Sequence, residues 1–313
     1  MTLLSIENLK SYFITQDGVV KAVNDVSLAI GENETLGLVG ESGCGKTVLA
    51  LSILRLLAEN TTTEGRIIYR GKDLLALHEE ELRAIRGKDI AQIFQNPLSS
   101  LNPVLSVGFQ ISEPFILHQN LKRDTAWSKA VEMLGRARIS SPAERAKEYP
   151  HEFSGGMRQR AMIAMGLACT PSLVIADEPT KGLDVTIQAQ IVELMRDLTK
   201  KAGVSMLLIT HDLSLAAELC DRIAVMYSGE IMEYADIKEF FKKPAHPYSE
   251  GFLASLPSRG MAPIAGISPS LINSPKGCKF HPRCDRVMEK CRSSHPDLIR
   301  VKDGQYARCF LYA

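Results

Sequence analysis

Long apolar runs, a one-sided charge and a basic N-terminal region are all missing from this sequence. Its 313 residues carry 37 Lys and Arg against 36 Asp and Glu, and a net charge of +1 provides no overall field for nucleic acid. No run approaches the ~18 apolar residues of a membrane-spanning helix, and the first residues lack the basic region of a secretory signal. These absences predict a soluble, cytoplasmic protein that binds no nucleic acid, with one large domain or two smaller ones.

Cysteine is scarce in most of the chain and concentrated at its end. Four of the seven cysteines fall within residues 278–313 at the spacing C-x5-C-x6-C-x17-C: Cys278, Cys284, Cys291 and Cys309. So tight a group predicts metal or cluster ligands rather than a disulfide framework. Four thiolates suit tetrahedral zinc, but the short knuckles of structural zinc sites are missing, and the spacing does not match the ferredoxin runs either. On the residues alone, zinc, [4Fe–4S] and four free thiols all stay open.

The stretch from Gly40 to Thr47, Gly-Glu-Ser-Gly-Cys-Gly-Lys-Thr, fits the phosphate-loop pattern G-x-x-x-x-G-K-[ST] at every fixed position. An apolar run of strand length precedes it and apolar residues at helical spacing follow it, which is the setting of a nucleotide site. Glycines let backbone N–H groups approach phosphate oxygens, Lys46 reaches the β- and γ-phosphates, and the Thr47 hydroxyl binds Mg²⁺. The predicted loop contacts are Gly40, Ser42, Gly43, Cys44, Gly45, Lys46, Thr47 and Val48.

Two buried strands are predicted to end in titratable side chains. Residues 173–176 lead to Asp177 and Glu178, and residues 205–210 lead to His211. In a phosphate-loop fold, the Asp at the strand tip holds Mg²⁺ through water, and the following Glu is placed to polarise a water molecule. Together with the phosphate loop, these side chains are expected at one edge of a parallel sheet. That convergence favours a site more strongly than any single residue does.

A third buried strand, residues 90–94, ends at Gln95, where α/β folds place ligand-binding side chains. Residues 98–165 then read as helices without strands, which predicts a helical insertion. Near its end, a helix is predicted to begin at a capping serine followed by two glycines that leave its N-terminus bare, and such an end is an anion site. The residues of this second anion site are Ser154, Gly155 and Gly156.

These motifs together resemble the ATPase subunit of an ABC transporter. The matching stretches are Ser154–Met157 for the signature, Gln95 for the Q-loop, Asp177–Glu178 for the Walker B end, Gly182–Asp184 for the D-loop and His211 for the switch histidine. Order and spacing match across residues 1–235. Met157 stands where many members have Gln, and Lys181 where a small residue is common, but neither change removes a phosphate ligand. Tyr12, rather than Phe13, matches the aromatic residue that stacks on adenine.

The rest of the chain resembles the dipeptide and oligopeptide importer branch of this family. The similar stretches are residues 94–103, 184–190, 246–248 and 277–284, so the resemblance covers essentially the whole chain. In that branch, two ATPases sit under two transmembrane permease subunits fed by an extracytoplasmic peptide-binding protein. The resemblance implies a peripheral protein at the cytoplasmic face of the membrane, working with a second, paralogous ATPase. It also implies a [4Fe–4S] cluster on the four grouped cysteines, with Zn²⁺ as the alternative.

The resemblance further implies a RecA-like α/β phosphate-loop core with an N-terminal antiparallel β-subdomain and a small Cys-rich C-terminal module. The expected division is an ATPase domain at residues 1–235 with a helical subdomain at about 98–165, a helical extension and linker at 236–277, and an iron–sulfur module at 278–313. ATP is expected between two subunits arranged head to tail. The implied roles are general base for Glu178, γ-phosphate stabilisation for Lys46 and His211, and Mg²⁺ contacts for Thr47, Gln95 and Asp177.

Three alternatives are weighed against this interpretation. A soluble ABC ATPase of DNA repair or translation is disfavoured, because the chain has a single ATPase unit and no sustained heptads. A redox or metal sensor with a vestigial ATPase is disfavoured by the intact Lys46, Asp177, Glu178 and His211. Within the importer branch, nickel or another solute stays open as an alternative to peptides, because no residue of an ATPase subunit touches the solute.

Overall fold

The apolar runs of the sequence form strands, most of them where they are predicted. The computed structural model describes all residues from Met1 to Ala313. The strands are β1 (Thr2–Thr15), β2 (Gly18–Gly31), β3 (Thr35–Val39), β4 (Thr61–Tyr69), β5 (Lys72–Asp73), β6 (Ile90–Ile93), β7 (Leu173–Asp177), β8 (Ser205–Thr210), β9 (Arg222–Tyr227), β10 (Glu230–Asp236), β11 (Ile299–Lys302) and β12 (Gln305–Ala307). Every residue of β7 and β8 is buried, as expected for continuous apolar strands of a parallel sheet.

Helices fill most of the middle of the chain. They are α1 (Lys46–Ile53), α2 (Glu79–Ile85), α3 (Pro97–Ser100), α4 (Val107–Gln119), α5 (Arg123–Arg136), α6 (Pro142–Arg145), α7 (Gly155–Gly166), α8 (Val185–Ala202), α9 (Leu213–Leu219), α10 (Ile237–Lys242), α11 (Pro247–Ala254) and α12 (Glu289–Ser293). None of them combines the length and the apolar character that a membrane crossing requires.

The chain divides into two compact units. The first unit comprises residues 1–76 and 208–313 and the second comprises residues 77–207, so one of the two boundaries falls inside β8.

The first unit begins with an antiparallel sheet in the order β2-β1-β4-β5. Leu4 pairs with Ile30 and Tyr12 pairs with Lys21, so β1 and β2 form a long hairpin. Inward-facing residues such as Leu4, Leu9 and Ile30 are fully buried, and the turn between the strands is exposed. The predicted antiparallel β-subdomain is confirmed.

The first unit also contains a second sheet, whose strands here run in the order β11-β12-β10-β9-β3. β3 lies parallel to β9, whereas β9, β10, β12 and β11 pair antiparallel. The last two strands belong to the C-terminal segment, by which we mean residues 257–313, and they were not predicted from the sequence. Glu233 pairs with Ala307, and Gly304 has a φ of 70° in the tight turn between β11 and β12. The Asp303-Gly304 pair is a hairpin signal in the sequence.

The second unit contains the helical insertion. Helices α3 to α7 lie between β6 and β7 with no strand among them, as predicted. β6 and β7 pair in parallel, with Ile93 opposite Ala176, so their carboxyl ends meet at the same edge. One helix of this insertion is short: α6 ends at Arg145, and Tyr149 has extended backbone because Pro150 follows it.

Candidate nucleotide-binding site

The phosphate loop has a backbone that only glycine fits at two of its positions. Gly40 has a φ of 155° and Gly45 a φ of 110°, and Gly45 is the N-cap of α1. A Cβ atom on Gly40 would lie 2.1 Å from the carbonyl oxygen of Met226, and one on Gly45 would lie 2.0 Å from that of Ala22. Backbone conformation and close packing therefore both require glycine, as a phosphate-binding turn demands.

The Lys46 side chain folds back onto the phosphate loop that precedes it. Its side-chain ammonium donates hydrogen bonds to the carbonyl oxygens of Gly40, at 2.7 Å, and Glu41, at 3.0 Å, and the residue is only 7% exposed. Burial raises the pKa of the neighbouring Cys44 thiol. Of the other predicted contacts, Ser42, Gly43 and Thr47 are exposed, Gly45 is buried and Val48 is half-buried. The exposed groups leave the outer side of the loop open to a ligand.

Glu41 was not among the predicted site residues, yet it is the most strongly held side chain of the loop. Arg283 of the C-terminal segment forms a bidentate ion pair with it, at 2.9 Å and 3.1 Å, and Ser268 also donates a hydrogen bond to it. Burial alone would raise the pKa of Glu41, but the hydrogen bonds from Arg283 and Ser268 outweigh burial, and the pKa is lowered. The Glu41 carboxylate is therefore kept ionised.

Tyr12 lies on β1, half-buried, with its side chain tied into the first unit. Its hydroxyl donates to the Asn24 side-chain oxygen at 2.5 Å, and the Asn24 amide nitrogen donates to Glu230 at 2.7 Å. Burial raises the pKa of Tyr12, so the hydroxyl keeps its proton. Phe13, the next residue of the strand, points to the opposite face because side chains alternate along a strand. Asn24 and Glu230 were not predicted as site residues.

His211 follows the last residue of β8 and is exposed. The turn after it is fixed locally. The Asp212 backbone N–H donates to the Thr210 hydroxyl at 3.0 Å, and the Asp212 carboxylate caps α9 by accepting from Ser214. This places His211 at the carboxyl end of its strand, as the sequence predicts.

In the second unit, the ends of β6 and β7 bring three predicted residues to one edge. Asp177 is the last residue of β7 and is 3% exposed, and Gln95 is half-buried two residues beyond the end of β6. Glu178 has a φ of 47°, in the left-handed region that is unfavourable for a side chain of this kind. Such backbone strain costs about 1–3 kcal/mol and is concentrated at functional sites.

The second predicted anion site is a helix N-terminus in the second unit. The Ser154 hydroxyl accepts a hydrogen bond from the Met157 backbone N–H at 3.3 Å, which confirms it as the N-cap of α7. Ser154 and Gly155 are exposed. A Cβ on Gly156 would lie 3.0 Å from the Ile187 side chain of α8, so the glycine allows these helices to pack closely. The open end of α7 therefore faces outward.

The four grouped cysteines lie together in the C-terminal segment. Cys278, Cys291 and Cys309 are buried, and Cys284 is half-buried. Burial, together with the charges of the other three thiols, raises the pKa of Cys278 to about 11, so each thiol lies within electrostatic reach of it. No group of three or more His, Cys, Asp or Glu side chains is arranged to hold a metal ion. This finding supports neither the predicted [4Fe–4S] cluster nor the alternative Zn²⁺.

Comparisons with known proteins place this geometry in a family. The family model described as "ABC transporter" matches residues 23–181, and the model described as "Oligopeptide/dipeptide transporter, C-terminal region" matches residues 232–291. The oligopeptide transport ATP-binding protein AppD of Bacillus subtilis is 46% identical over 99% of this chain and 97% of its own length. The oligopeptide transport ATP-binding protein OppD of Escherichia coli is 45% identical over 98% of this chain and 93% of its own length.

A solved structure agrees with the sequence comparisons. The ATP-binding cassette MJ0796, in a dimeric post-hydrolysis state bound to ADP and Pi, superposes with a TM-score of 0.68 at 27% identity. It covers 75% of this chain, and 98% of its own length is matched. The fold agrees with that of this cassette, and the sequence similarity to the transport ATP-binding proteins extends over nearly the whole chain. The chain therefore belongs to the ABC transporter ATPases, among the oligopeptide and dipeptide transport ATP-binding proteins.

Proposed function

We propose that this protein hydrolyses ATP to drive the import of dipeptides or oligopeptides through an ABC transporter. One observation carries the proposal: a phosphate loop that only glycine fits at Gly40 and Gly45 occurs in a chain that matches peptide-transport ATP-binding proteins over 99% of its length. The C-terminal match at residues 232–291 supports peptides rather than nickel as the solute. The ATPase assignment rests on family membership and on the loop geometry together.

In the first unit, the phosphate loop binds the nucleotide phosphates. Lys46 moves its ammonium from the loop carbonyls to the β- and γ-phosphates, where it neutralises the charge that develops in phosphoryl transfer. His211 assists at the γ-phosphate, and the Tyr12 ring stacks on the adenine base. The half-buried position of Tyr12 and the exposed position of His211 support these roles.

In the second unit, Glu178 acts as the general base that accepts a proton from the attacking water. Asp177 and Gln95 would offer oxygen ligands to Mg²⁺, because ligands of this kind suit that ion. When bound, Mg²⁺ offsets the negative charge on the phosphate oxygens. The buried Asp177 and the strained backbone of Glu178 support the assignment.

The exposed N-terminus of α7 serves the nucleotide held by a partner ATPase, in a head-to-tail pair. Ser154, Gly155 and Gly156 present a capped helix end with no side chain in front of it, which suits a phosphate. The partners in this proposal are two permease subunits, a second ATPase that is a paralogue, and an extracytoplasmic peptide-binding protein. The relatives' names, which describe peptide-transport ATP-binding proteins, support a transporter of this kind. The protein then works at the cytoplasmic face of the membrane.

ATP hydrolysis by the assembled transporter tests the chemical assignment. Glu178→Gln should bind ATP but hydrolyse it roughly 10²–10⁴ times more slowly, because the amide keeps the shape yet cannot accept a proton. Lys46→Ala should lose ATP binding. Glu193→Gln, an exposed carboxylate change in the same unit, is the matched control and should hydrolyse at the parent rate. A parent rate in Glu178→Gln would show that another group is the base.

Uptake measurements test the solute. Cells whose only copy carries Glu178→Gln should lose uptake of labelled dipeptides or oligopeptides and keep uptake of Ni²⁺. The reverse result would assign the transporter to nickel.

We also propose that the four grouped cysteines hold a [4Fe–4S] cluster. The resemblance to peptide-importer ATPases and the electrostatic influence of the other three thiols on Cys278 support this proposal. Anaerobically purified protein should be brown, with about four irons per chain as that cluster requires. Cys278→Ser should lose the iron and Cys169→Ser, a scattered cysteine, should keep it. Stoichiometric zinc without iron after anaerobic reconstitution would contradict the cluster.

A further inference from the structure

The ion pair between Glu41 and Arg283 joins the phosphate loop to a residue 242 positions away. The Arg283 side chain is 6% exposed and that of Glu41 is 28% exposed, so the pair is largely shielded from water. A bidentate guanidinium–carboxylate pair is both strong and directional. This contact is therefore able to fix where the Glu41 side chain points, which a mobile surface pair could not do.

The surroundings of Arg283 hold it in one position. Its Nε donates to the carbonyl oxygen of Ala265 at 2.9 Å, and the guanidinium lies 5.7 Å from the centre of the Tyr227 ring. Tyr227 packs in turn against Tyr248 and Phe280, with ring centres 4.6 Å and 5.4 Å away. These contacts come from different parts of the first unit, so the guanidinium is supported from several sides.

The backbone of Glu41 is held from the same direction. Its N–H donates to the Tyr248 hydroxyl at 3.0 Å, and Tyr248 is fully buried. The N–H of Gly229 donates to the Cys44 carbonyl oxygen at 2.9 Å, which anchors the far end of the loop. Both anchors of the loop therefore come from residues outside it.

The charge of Glu41 explains why a cation is needed at this place. Glu41 stands between Gly40 and Ser42, in a loop that must accept an anionic triphosphate, and it interacts electrostatically with Lys46. Without a cation of its own, the carboxylate would repel the phosphates and compete with them for the Lys46 ammonium. Arg283 supplies that cation and turns the carboxylate toward the C-terminal segment.

We propose that Arg283 is a positioning residue for ATP binding, which neutralises Glu41 and holds it away from the phosphates. The inference rests on the proposed role of the phosphate loop in binding ATP. It gives the C-terminal segment a direct effect on nucleotide affinity, through a residue that lies next to Cys284 in the sequence. Arg283 does not touch the substrate.

Equilibrium binding of a fluorescent ATP analogue to the full-length chain tests the proposal. Arg283→Met should raise the Kd by about tenfold, within the usual range of coupling between sites. Arg283→Lys keeps the positive charge but loses the planar guanidinium fork, so its Kd should lie between that of the parent and that of Arg283→Met. Arg286→Met is the matched control: Arg286 is paired with Glu250 rather than with the loop, and its loss should leave the Kd unchanged.

The decisive measurement is the double variant. Glu41→Gln removes the charge that Arg283 neutralises, so Glu41→Gln/Arg283→Met should bind the analogue within about threefold of the parent. A purely structural role for Arg283 predicts instead that the double variant is as weak as Arg283→Met, because the lost packing is not restored. That result, or an unchanged Kd in a folded Arg283→Met, would overturn the proposal. If Arg283→Met does not fold, Arg283→Lys with and without Glu41→Gln decides by the same comparison.

Failure of the proposed function gives a different result. A parent chain that does not bind the analogue, or a Lys46→Ala chain that binds it normally, would contradict the assignment of the phosphate loop. A parent that binds and an Arg283→Met chain that binds equally well would contradict only the role of Arg283.

Discussion

The two glycine-bounded helix ends of this protein differ in how much of their surroundings the chain itself supplies. The N-terminus of α1 begins at Gly45, has no side-chain cap, and is enclosed by Glu41, Tyr248 and the carbonyl of Ala22. The N-terminus of α7 is capped by Ser154 and stays exposed. A helix end that the chain itself surrounds has its geometry fixed within its own subunit. A capped but open end is suited to a ligand brought by another molecule.

Adding one methyl group at each helix end should affect the two ends very differently. Gly45→Ala would combine a φ of 110° with a Cβ 2.0 Å from the Ala22 carbonyl oxygen, whereas a Cβ on Gly155 meets Leu183 at an ordinary 4.0 Å. We expect Gly45→Ala to lower the free energy of unfolding by at least about 3 kcal/mol, and Gly155→Ala to change it by less than about 1 kcal/mol. Urea unfolding midpoints measure both. Equal losses would mean that the phosphate loop relaxes around the added carbon.

Blocking the open N-terminus of α7 tests whether it serves a partner's nucleotide. Ser154→Arg removes the capping acceptor and places a bulky cation where a phosphate is expected, so hydrolysis at the partner's nucleotide should fall by about 10²-fold. Mixed assemblies with the change in one subunit locate the loss. Ser141→Arg is the matched control, because Ser141 is an exposed serine before a helix and makes no side-chain cap. A loss confined to the nucleotide held by the mutated chain's own Lys46 would contradict the head-to-tail pair.

The parts of the site that could be predicted are those with a local pattern. The glycine spacing of residues 40–47 and the apolar run of β7 before Asp177 are both patterns of consecutive residues. They can be recognised because tight turns and buried strands restrict which residue types can occur at neighbouring positions. The cap at Ser154 is likewise local.

The parts that could not be predicted depend on residues far apart in the chain. Asn24 and Glu230 are separated by 206 positions, and the pairing of β12 with β10 joins a segment interpreted from the sequence as a separate module. Such contacts leave no periodicity, since each side chain sits in an ordinary polar context of its own. The hairpin signal at Asp303-Gly304 predicts the turn but not the strand that β12 would join.

The residues that hold the phosphate loop in place include a buried histidine, so their contribution to stability should depend on pH. His246 caps α11, and its Nδ1 accepts the backbone N–H of Tyr248, the residue that holds Glu41. His246 is 1% exposed, and burial, followed by the charges of Arg286 and Arg308, lowers its pKa to about 3. The folded state therefore binds a proton at His246 far less readily than the unfolded state does.

Protonation of His246 at low pH should destabilise the folded protein. Because the folded-state pKa lies below the unfolded value of about 6.5, the contribution of His246 to stability is complete above that pH and is lost as the pH falls toward 3. Between pH 6.5 and 5 the parent should lose about 2 kcal/mol more than His246→Asn, in which the amide oxygen keeps the cap without titrating. The buried Glu233 has a raised pKa, but it is present in both proteins and cancels in the comparison.

Urea unfolding at pH 8, 7, 6 and 5 measures this last prediction. The difference between His246→Asn and the parent should be constant between pH 8 and 7, which serves as the internal control, and should shrink as the parent loses stability below 6.5. A difference that stays constant down to pH 5 would show that the folded protein accommodates a protonated His246. The phosphate loop would then have a support that is insensitive to pH, and the contrast between the two helix ends would rest on enclosure alone.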